Sequence, residues 1–295
     1  MWALSILMVL SLVFGAAISG HVKTTRNAID NARAEALADA GAELSVLDLS
    51  GWRDRTVREA RFPRDGRPVR CSLGNGDWLT IAVEDEVGKV DLNAADERLI
   101  GAALLAAGVA EREAAALAQR ILDYRDTDDA RQPDGAETAE YRDAGRPGPK
   151  NWPFETIEEV EQVLGAAPGL AEALRPYATV YSAQVAIDAN LASRRLVAAL
   201  SDGLAAQSAF DAAGSTIGDM SQRPGRTQVT GAGGRAFRIV SQARTAQGAV
   251  FVREALVEFV ANRPGAYLFR RWRKGLANDS GLVEESVPVS ALPPC

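Results

Sequence analysis

One stretch of this chain, between Asp123 and Asn151, concentrates the side chains whose types suit metal chemistry. It is rich in carboxylates and poor in apolar residues, so something other than a hydrophobic core must hold it in place. Calcium takes about six to eight oxygen ligands from carboxylates, amide oxygens and backbone carbonyls. The residues therefore predict a candidate cation site, whose candidate ligands are Asp123, Asp126, Asp128, Glu137, Glu140 and Asn151.

The spacing within this loop suits a cation but does not match a known calcium motif. Asp126 and Asp128 alternate just beyond a predicted helix end, and Glu137 and Glu140 lie about one helical turn apart. The loop lacks the Asp-x-Asp-x-Asp-Gly run of an EF-hand. The alternative is a solvated acidic loop whose carboxylates pair with Arg125, Arg131 and Arg142. On the residues alone, both interpretations remain open.

Little else in the chain could perform catalysis. The only histidine is His21, beside an apolar N-terminal run, which excludes serine–histidine–aspartate and paired-histidine zinc sites from the body of the protein. Carboxylate pairs such as Asp123/Asp126 and Glu158/Glu159 could act as acid and base, yet nothing nearby supplies a nucleophile or an oxyanion site. We therefore predict that the protein is not an enzyme.

The two cysteines, Cys71 and Cys295, admit two interpretations. They could form a disulfide in an oxidising compartment, which would tie the C-terminus to the strand near Cys71, or both could be free thiols. The sequence does not decide between these states, because the geometry that a bridge requires cannot be read from it.

The N-terminal region joins an apolar run to an alanine-rich helix. Met1–Ser19 carries no charge, and alanines then recur at four-residue spacing as Ala28, Ala32, Ala36 and Ala40. The pattern predicts one long helix whose first part anchors the chain in a membrane. A secretory signal peptide is the alternative. The alanine seam indicates either close packing against another helix or packing on the protein's own sheet.

The rest of the sequence has β character at both ends and helical character between them. Trp78–Val83 is a predicted strand, Val90–Tyr181 is mostly helical, and this part includes a predicted helix at Ile157–Leu164. Further strands are predicted at Phe237–Ala243, Ala249–Val260 and Tyr267–Trp272. Val90–Leu99 is echoed by Ile187–Leu196, which suggests a helical module that occurs twice. The order of elements indicates an α+β domain with an inserted helical domain.

Taken in order along the chain, these segments resemble minor pseudopilin K of the bacterial type II secretion system. The resemblance spans almost the whole sequence, and the ordered series is more specific than any one piece. The segments that carry it are Asn27–Leu37, Lys89–Ala95, Ile121–Asp128, Gly135–Tyr141, Asn151–Val160, Tyr177–Tyr181 and Arg253–Val257.

The resemblance implies an α+β fold in which a pilin-like N-terminal helix packs on an antiparallel sheet. It also implies an inserted all-helical domain, similar to SAM-like or helix-hairpin-helix domains, and calcium as a structural cofactor of the acidic loop. The expected divisions are a transmembrane anchor at 1–19, its periplasmic continuation at 20–48, strands at 49–88, the inserted domain at 89–205 with the acidic loop at 123–151, and the C-terminal sheet at 206–295.

The function that the resemblance implies is assembly rather than chemistry. Such a subunit stands at the tip of the pseudopilus and helps to start the filament for protein secretion across the outer membrane. Its expected partners are sibling minor pseudopilins, the major pseudopilin, the inner membrane and secreted cargo, with the body in the periplasm. The residue at position five is Ser5 rather than glutamate, which suits a subunit with no other subunit above it.

The alternative function is that of a membrane-anchored helix-hairpin-helix protein that binds nucleic acid. Val90–Arg125 and Phe154–Tyr181 each resemble two helices joined by a hairpin, a module that can hold phosphate through backbone N–H groups. Neither hairpin carries a cluster of lysine or arginine, and Glu111 and Glu113 would repel phosphates. The net charge of −6 also argues against a nucleic-acid partner.

Overall fold

The computed structural model describes residues 2–53, 60–201, 235–260, 263, 265–275 and 292–295, without the side chains of residues 4, 7, 9–22, 52 and 53. Met1 and the predicted domain boundary between 205 and 206 lie outside these residues. The chain divides into two compact units. The first comprises Met1–Glu84, Arg238–Val257 and Phe269–Cys295, and the second comprises Asp85–Phe237 and Glu258–Leu268.

The described residues form a mixture of helices and strands, which confirms the predicted mixed class. The helices are α1 (Trp2–Arg53), α2 (Glu97–Ala106), α3 (Glu111–Arg125), α4 (Thr138–Asp143) and α5 (Leu170–Leu174), with two 3₁₀ segments at Glu86–Gly88 and Ile157–Gln162. The strands are β1 (Val69–Gly74), β2 (Asp77–Asp85), β3 (Val90–Asp91), β4 (Ala178–Thr179), β5 (Arg235–Arg244), β6 (Val250–Phe259) and β7 (Tyr267–Lys274). Residues 194–201 are also helical.

Helix α1 buries a stripe of small residues at helical spacing, formed by Ala34, Ala38, Ala42 and Ser45. Small side chains let the backbone of a helix approach a sheet closely, and no proline interrupts the run. Within the part of the chain that the structure describes, no helix combines the length and the apolar character needed to cross a membrane.

Polar contacts fix the position of α1 on the sheet. Arg253 of β6 donates to Glu35 Oε1 at 2.9 Å and pairs with Asp39 on the next turn of the helix. Closer to the start of the helix, Thr245 Oγ1 donates to Asp30 Oδ2 at 3.0 Å. These contacts and the buried alanine stripe together determine which face of α1 meets the sheet.

The main sheet has five strands in the order β1-β2-β5-β6-β7. Strands β1 and β2 pair antiparallel, with Cys71 opposite Leu79 and Ser72 opposite Trp78. They are joined by a tight turn in which Asn75 has a φ of 52°, flanked by glycines that also have positive φ. The strands predicted at Trp78–Val83 and in the C-terminal third lie within this sheet.

The last residues of the chain lie along β1, and we call residues 292–295 the C-terminal clasp. Cys295 forms a disulfide with Cys71 across a sequence separation of 224 residues. The clasp also makes backbone hydrogen bonds on both sides of Ser72, from Ser72 N to Pro293 O at 2.7 Å and from Cys295 N to Ser72 O at 2.9 Å. Of the two interpretations of the cysteines, the structure contains the bridged one.

The second unit packs its helices and short strands around one apolar core. Prominent members of this core are Ile100, Leu104, Ile121, Tyr141 and Leu174. The unit is not purely helical, because β3 and β4 pair in parallel and bring the start of the unit next to its later part. The predicted helix at Ile157–Leu164 is wrong in type and length: the segment is a 3₁₀ turn over Ile157–Gln162. The Glu159 carboxylate accepts the N–H groups that precede it, which favours a short, tight turn.

The two echoing segments have the same local structure. In each, an aspartate accepts a hydrogen bond from the N–H two residues later, Asp91 from Asn93 at 2.8 Å and Asp188 from Asn190 at 3.0 Å. In each, a polar side chain then caps the next helix by accepting the N–H three residues on. The caps are Asp96 and Ser193, and the leucines that they bond, Leu99 and Leu196, are both buried.

Candidate cation site and exposed face of the first helix

Two helices and a strained turn position the acidic loop. Helix α3 ends at Arg125, whose guanidinium donates to two backbone carbonyls of the segment before α2 and so fixes this helix end. Asp126 follows as the C-terminal cap of α3, and Glu137 stands directly before α4. Asn151 closes the loop with a left-handed φ of 48°, a conformation that asparagine tolerates better than most residues.

Three of the predicted ligands place oxygen atoms in the interior without a hydrogen-bond donor. These atoms are Asp126 Oδ1, both carboxylate oxygens of Glu137, and Asn151 Oδ1. Buried polar atoms are nearly always satisfied, and leaving one without a partner costs about 1–3 kcal/mol. Carboxylate and amide oxygens are the ligands that Ca²⁺ prefers. The donor set therefore fits a hard cation.

The electrostatics of the loop point in the same direction. The pKa of Glu137 is raised to about 7, first because the carboxyl is buried and then because of the charges on Asp123, Asp126 and Asp129. Burial also raises the pKa of Asp126, with the neighbouring charge of Asp128 as the next cause. Several carboxylates thus share one region, and a divalent cation would neutralise part of their negative charge.

Asp123 contacts the backbone of the acidic loop. It is fully buried, and its two oxygens accept the backbone N–H of Gln132 at 3.3 and 3.2 Å. A β-carbon placed on Gly135 would lie 1.9 Å from Asp123 Oδ2, so the loop backbone packs directly against this carboxylate. Asp123 therefore closes the loop through backbone contacts, and burial raises its pKa.

Glu140 and Asp128 lie at the periphery of the site. Glu140 Oε2 accepts the backbone N–H of Glu137 at 2.9 Å, a bond that lowers the pKa of Glu140, and Glu140 Oε1 lies 3.4 Å from Arg131 Nε. Asp128 is exposed, and its Oδ1 accepts the N–H of Ala130 at 2.8 Å. Both carboxylates stabilise the loop through these contacts.

The structure thus sorts the six predicted ligands into two groups. Asp126, Glu137 and Asn151 carry unsatisfied oxygens, whereas the other three already have protein partners. Among the described residues, no three His, Cys, Asp or Glu side chains stand close enough together to hold a metal ion by themselves. A cation here would therefore need the Asn151 amide and further oxygens from backbone or water.

Asp129 belongs to this region, although it is absent from the predicted ligands. Asn151 Nδ2 donates to Asp129 Oδ1 at 3.4 Å, and the charge of Asp129 helps to raise the pKa of Glu137. The signal that could have identified it is its place in the acidic run with Asp126 and Asp128.

The predicted alanine seam of α1 is on the solvent side of the helix. Ala28, Ala32, Ala36 and Ala40 are exposed, whereas the sheet is met by the stripe that contains Ala34, Ala38 and Ala42. The interpretation in which the predicted seam packs on the protein's own sheet is therefore wrong.

Large apolar side chains lie near both ends of this exposed seam. Ile29 is 64% exposed and Leu47 is 70% exposed. At 3.6 residues per turn, both lie on the same side of α1 as Ala36 and opposite the buried stripe. We call the set formed by Ile29, Ala32, Ala36, Ala40 and Leu47 the outer stripe.

Each hairpin of the second unit contains a glycine in the left-handed region, and the turn of the first hairpin is acidic. Gly108 and Gly169 adopt positive φ values of 95° and 84°, which only glycine takes without strain. At the N-terminus of α3, however, Glu111 and Glu113 are both exposed. Two negative charges at this turn oppose phosphate binding.

Comparison with known proteins agrees with the resemblance to protein K. Residues 81–183 match a family model described as the type II secretion system (T2SS), protein K. No curated protein matches the chain. A chain in the crystal structure of the GspK-GspI-GspJ complex from the enterotoxigenic Escherichia coli type 2 secretion system has a similar structure, with a TM-score of 0.56 and 16% sequence identity. The match covers 86% of this chain and 100% of that chain.

The structural match and the family match support different conclusions. At 16% identity, the structural match shows a shared fold alone. The family match carries sequence information, and it includes the acidic loop and both hairpins. The resemblance to minor pseudopilin K is thereby confirmed.

Proposed function

We propose that this chain is a minor pseudopilin of type II secretion, a non-enzymatic assembly subunit at the tip of the pseudopilus. The observation that carries the proposal is the protein K match over residues 81–183. The similar fold of a chain in the GspK-GspI-GspJ complex supports it. The second unit, which enters the chain after β2, corresponds in this proposal to the helical domain inserted into a pilin-like domain.

The proposed partners are sibling minor pseudopilins and the major pseudopilin, with secreted cargo as a further contact. The similar solved chain was crystallised in the GspK-GspI-GspJ complex, which supports sibling subunits as partners of this chain. On this chain, the outer stripe suits the docking of a partner helix, because its alanines permit close approach and Ile29 and Leu47 add apolar area at either end. A helix that covered it would remove exposed apolar surface from water.

The proposed location is the inner membrane, with residues 1–19 as the anchor and the body in the periplasm. The uncharged apolar run Met1–Ser19 supports the anchor. The disulfide between Cys71 and Cys295 supports an oxidising compartment for the body.

Calcium is the proposed structural cofactor of the acidic loop. Asp126, Glu137 and Asn151 would hold the ion, with additional oxygens from the loop backbone or water. The charge of the ion would offset the negative charge of the buried carboxylates. Its ligands would join the end of α3 to the segments before and after α4. The effect would be to fix a long loop that has few apolar contacts of its own.

The nucleic-acid alternative is not favoured. The hairpin geometry is its only support, and the exposed carboxylates of Glu111 and Glu113 oppose it. Helical scaffolds of this kind serve unrelated functions, so their shape alone does not assign one.

Co-expression with sibling subunits tests the proposed function. The full chain would be co-expressed with the other minor pseudopilins of the same secretion system. The membranes would then be solubilised in detergent and the chain purified. We expect one stable complex that contains all of the minor subunits, and no retention on a nucleic-acid column at physiological salt. If the chain purified without the sibling subunits and was retained on the nucleic-acid column, the nucleic-acid-binding alternative would be favoured.

A further inference from the structure

A cleft in the second unit separates its two hairpins. The turn between α2 and α3 forms one wall, and the turn before α5 forms the other. The cleft has a volume of about 810 Å³, which lies in the range of sites that bind small ligands. Every residue that lines it falls between positions 107 and 173, so the second unit forms the cleft alone.

The cleft is lined mainly by apolar and small residues. Leu117 of α3 and Leu170 of α5 line it with only 5% and 6% of their surface exposed. Apart from three charged side chains, the remaining lining residues are alanines, glycines, Val109 and Pro168. Because these side chains are small, an extended polypeptide segment could lie between the two turns in close contact with both.

One guanidinium in the cleft has backbone carbonyls as its partners rather than a carboxylate. Arg120 Nε donates to Asp134 O and Arg120 Nη1 donates to Leu164 O, both at 3.2 Å. The group packs so closely on Gly165 that a β-carbon placed there would overlap Nη1. Within the part of the chain that the structure describes, Nη2 donates to no protein group. The half-buried guanidinium is therefore held in place and keeps donors for a ligand.

The charges that line the cleft have a positive sum. They are Arg112, Glu113 and Arg120, and none of them forms an ion pair with another described residue. Glu111, the other carboxylate of this turn, lines a separate cavity together with residues of α2. Two guanidinium groups against one carboxylate favour a ligand that carries a carboxylate of its own.

The charges beside the two turns leave this balance unchanged. A β-carbon on Gly108 would lie 3.7 Å from Arg195 Nη2, and Glu161 Oε1 accepts the N–H of Gly169 at 3.0 Å. One positive and one negative side chain thus flank the turns. Nucleic acid fits this cleft poorly, because its phosphates would meet Glu113 and would leave the apolar lining unused.

We propose that this cleft binds a short acidic segment of a partner polypeptide, with a carboxylate on Arg120 and a neighbouring apolar side chain on Leu117 and Leu170. The carboxylate would accept a charge-assisted hydrogen bond from Nη2 of Arg120. Arg112 is exposed and would attract the acidic segment as it approaches. A polypeptide supplies both groups at adjacent positions. The site belongs to the second unit by itself, so this inference does not rest on the proposed role in secretion.

Titration of the full chain in detergent with a blocked tripeptide, leucine–glutamate–leucine, tests the proposal. The glutamine analogue keeps the shape without the charge, and the lysine analogue reverses the charge. We expect the glutamate peptide to bind at least about tenfold more tightly than the glutamine peptide and to shift the methyl NMR signals of Leu117 and Leu170. The lysine peptide should not bind. Equal affinity for all three peptides would overturn the proposal, and empty detergent micelles give the blank.

Matched variants locate the binding. Arg120→Gln should lower the affinity for the glutamate peptide about tenfold and leave that for the glutamine peptide unchanged. Ala116→Leu fills the cleft while Arg120 stays in place, and it should abolish binding of both peptides. Arg98→Gln removes the same charge from an exposed residue outside the cleft and should retain wild-type binding.

The melting temperature of each variant shows whether it is folded. A folded Ala116→Leu variant that binds the glutamate peptide as the wild type does would overturn the cleft as the site. Equal affinity in Arg120→Gln and Arg98→Gln would overturn Arg120 as the group that holds the carboxylate. Displacement of the peptide by a single-stranded oligonucleotide at equal concentration would assign the cleft to nucleic acid instead.

Discussion

Gly41 of α1 lies directly against Ser241 of β5. A β-carbon placed on Gly41 would come within 2.3 Å of the Ser241 hydroxyl oxygen and 3.1 Å of a methyl group of Leu79. Ser241 is fully buried, and its hydroxyl oxygen lacks a hydrogen-bond partner among the described residues. The helix therefore approaches the sheet as closely as a residue without a side chain permits.

This contact predicts a specific coupling between two substitutions. Gly41→Ala should lower the free energy of unfolding by about 1–3 kcal/mol, because the added methyl group must push the helix from the sheet. Ser241→Ala should cost little by itself, since it removes an oxygen that makes no hydrogen bond, and it should recover much of the loss in the double variant. Denaturant titration of the four proteins measures this cycle.

A glycine in the second unit supplies the control for that cycle. A β-carbon on Gly101 of α2 would meet nothing within 4 Å. Gly101→Ala should therefore stabilise the protein by about 0.5–1 kcal/mol through helix propensity alone. If Gly41→Ala were equally stabilising, the close approach would not restrict this position.

Calcium should stabilise the full chain through Asp126 and Glu137. At a hundred times its dissociation constant, a ligand that binds only the folded state adds about 2.7 kcal/mol. We expect a clear rise in melting temperature from excess EDTA to calcium, and its loss in Asp126→Asn and in Glu137→Gln.

Asp143→Asn is the matched control for the calcium experiment. Asp143 is exposed at the end of α4, and its replacement by asparagine removes one negative charge from the same acidic region. It should keep the calcium response of the wild type. An equal loss of the calcium response in all three variants would mean that calcium acts through overall charge. A wild type whose melting temperature does not respond to calcium would favour the alternative of a solvated acidic loop.

The response to pH should follow from the raised pKa of Glu137, which is about 7 in the folded protein against an ordinary value of 4.5. The folded metal-free chain holds this proton at pH values where the unfolded chain has lost it. The group's contribution to stability is thus fully present below pH 4.5 and is lost as the pH rises through about 7. Glu137→Gln should flatten this part of the pH profile in EDTA.

Calcium binding should have the opposite pH dependence. The ion requires the carboxylate, so its affinity should fall as the pH is lowered through about 7. Titration of the full chain with calcium at several pH values measures this. An affinity that does not change between pH values on either side of the Glu137 pKa would contradict its role as a ligand.

The outer stripe should contribute to assembly with sibling subunits. Ala36→Leu places a bulky side chain in the middle of the stripe and should weaken co-purification of the siblings by at least about tenfold, or about 1.4 kcal/mol. Ala36→Ser keeps the small volume and should retain binding. Asn31→Leu places the same leucine side chain at an exposed position of α1 outside the stripe and should also retain binding. Equal complex yields for Ala36→Leu and Asn31→Leu would exclude the stripe as the contact surface.

The sequence by itself determined the features that depend on residues close together in the chain. The mixed helix and strand class, the acidic loop and the echo of Val90–Leu99 in Ile187–Leu196 follow from local spacing, and local hydrogen bonds give both echoing segments the same helix cap. The resemblance to protein K also rests on short ordered segments, which is why it was recognisable without a structure.

The tertiary structure alone decided which of several equivalent residues does what. Two alanine stripes of α1 have the same helical spacing, and only the position of the sheet determines that Ala38 is buried and Ala36 is exposed. In the acidic loop, Asp123 and Asp126 are alike in sequence, yet backbone N–H groups satisfy the first and leave an oxygen of the second without a donor. Whether a polar atom is satisfied depends on which distant groups the fold brings next to it, and residue type and spacing carry no record of that.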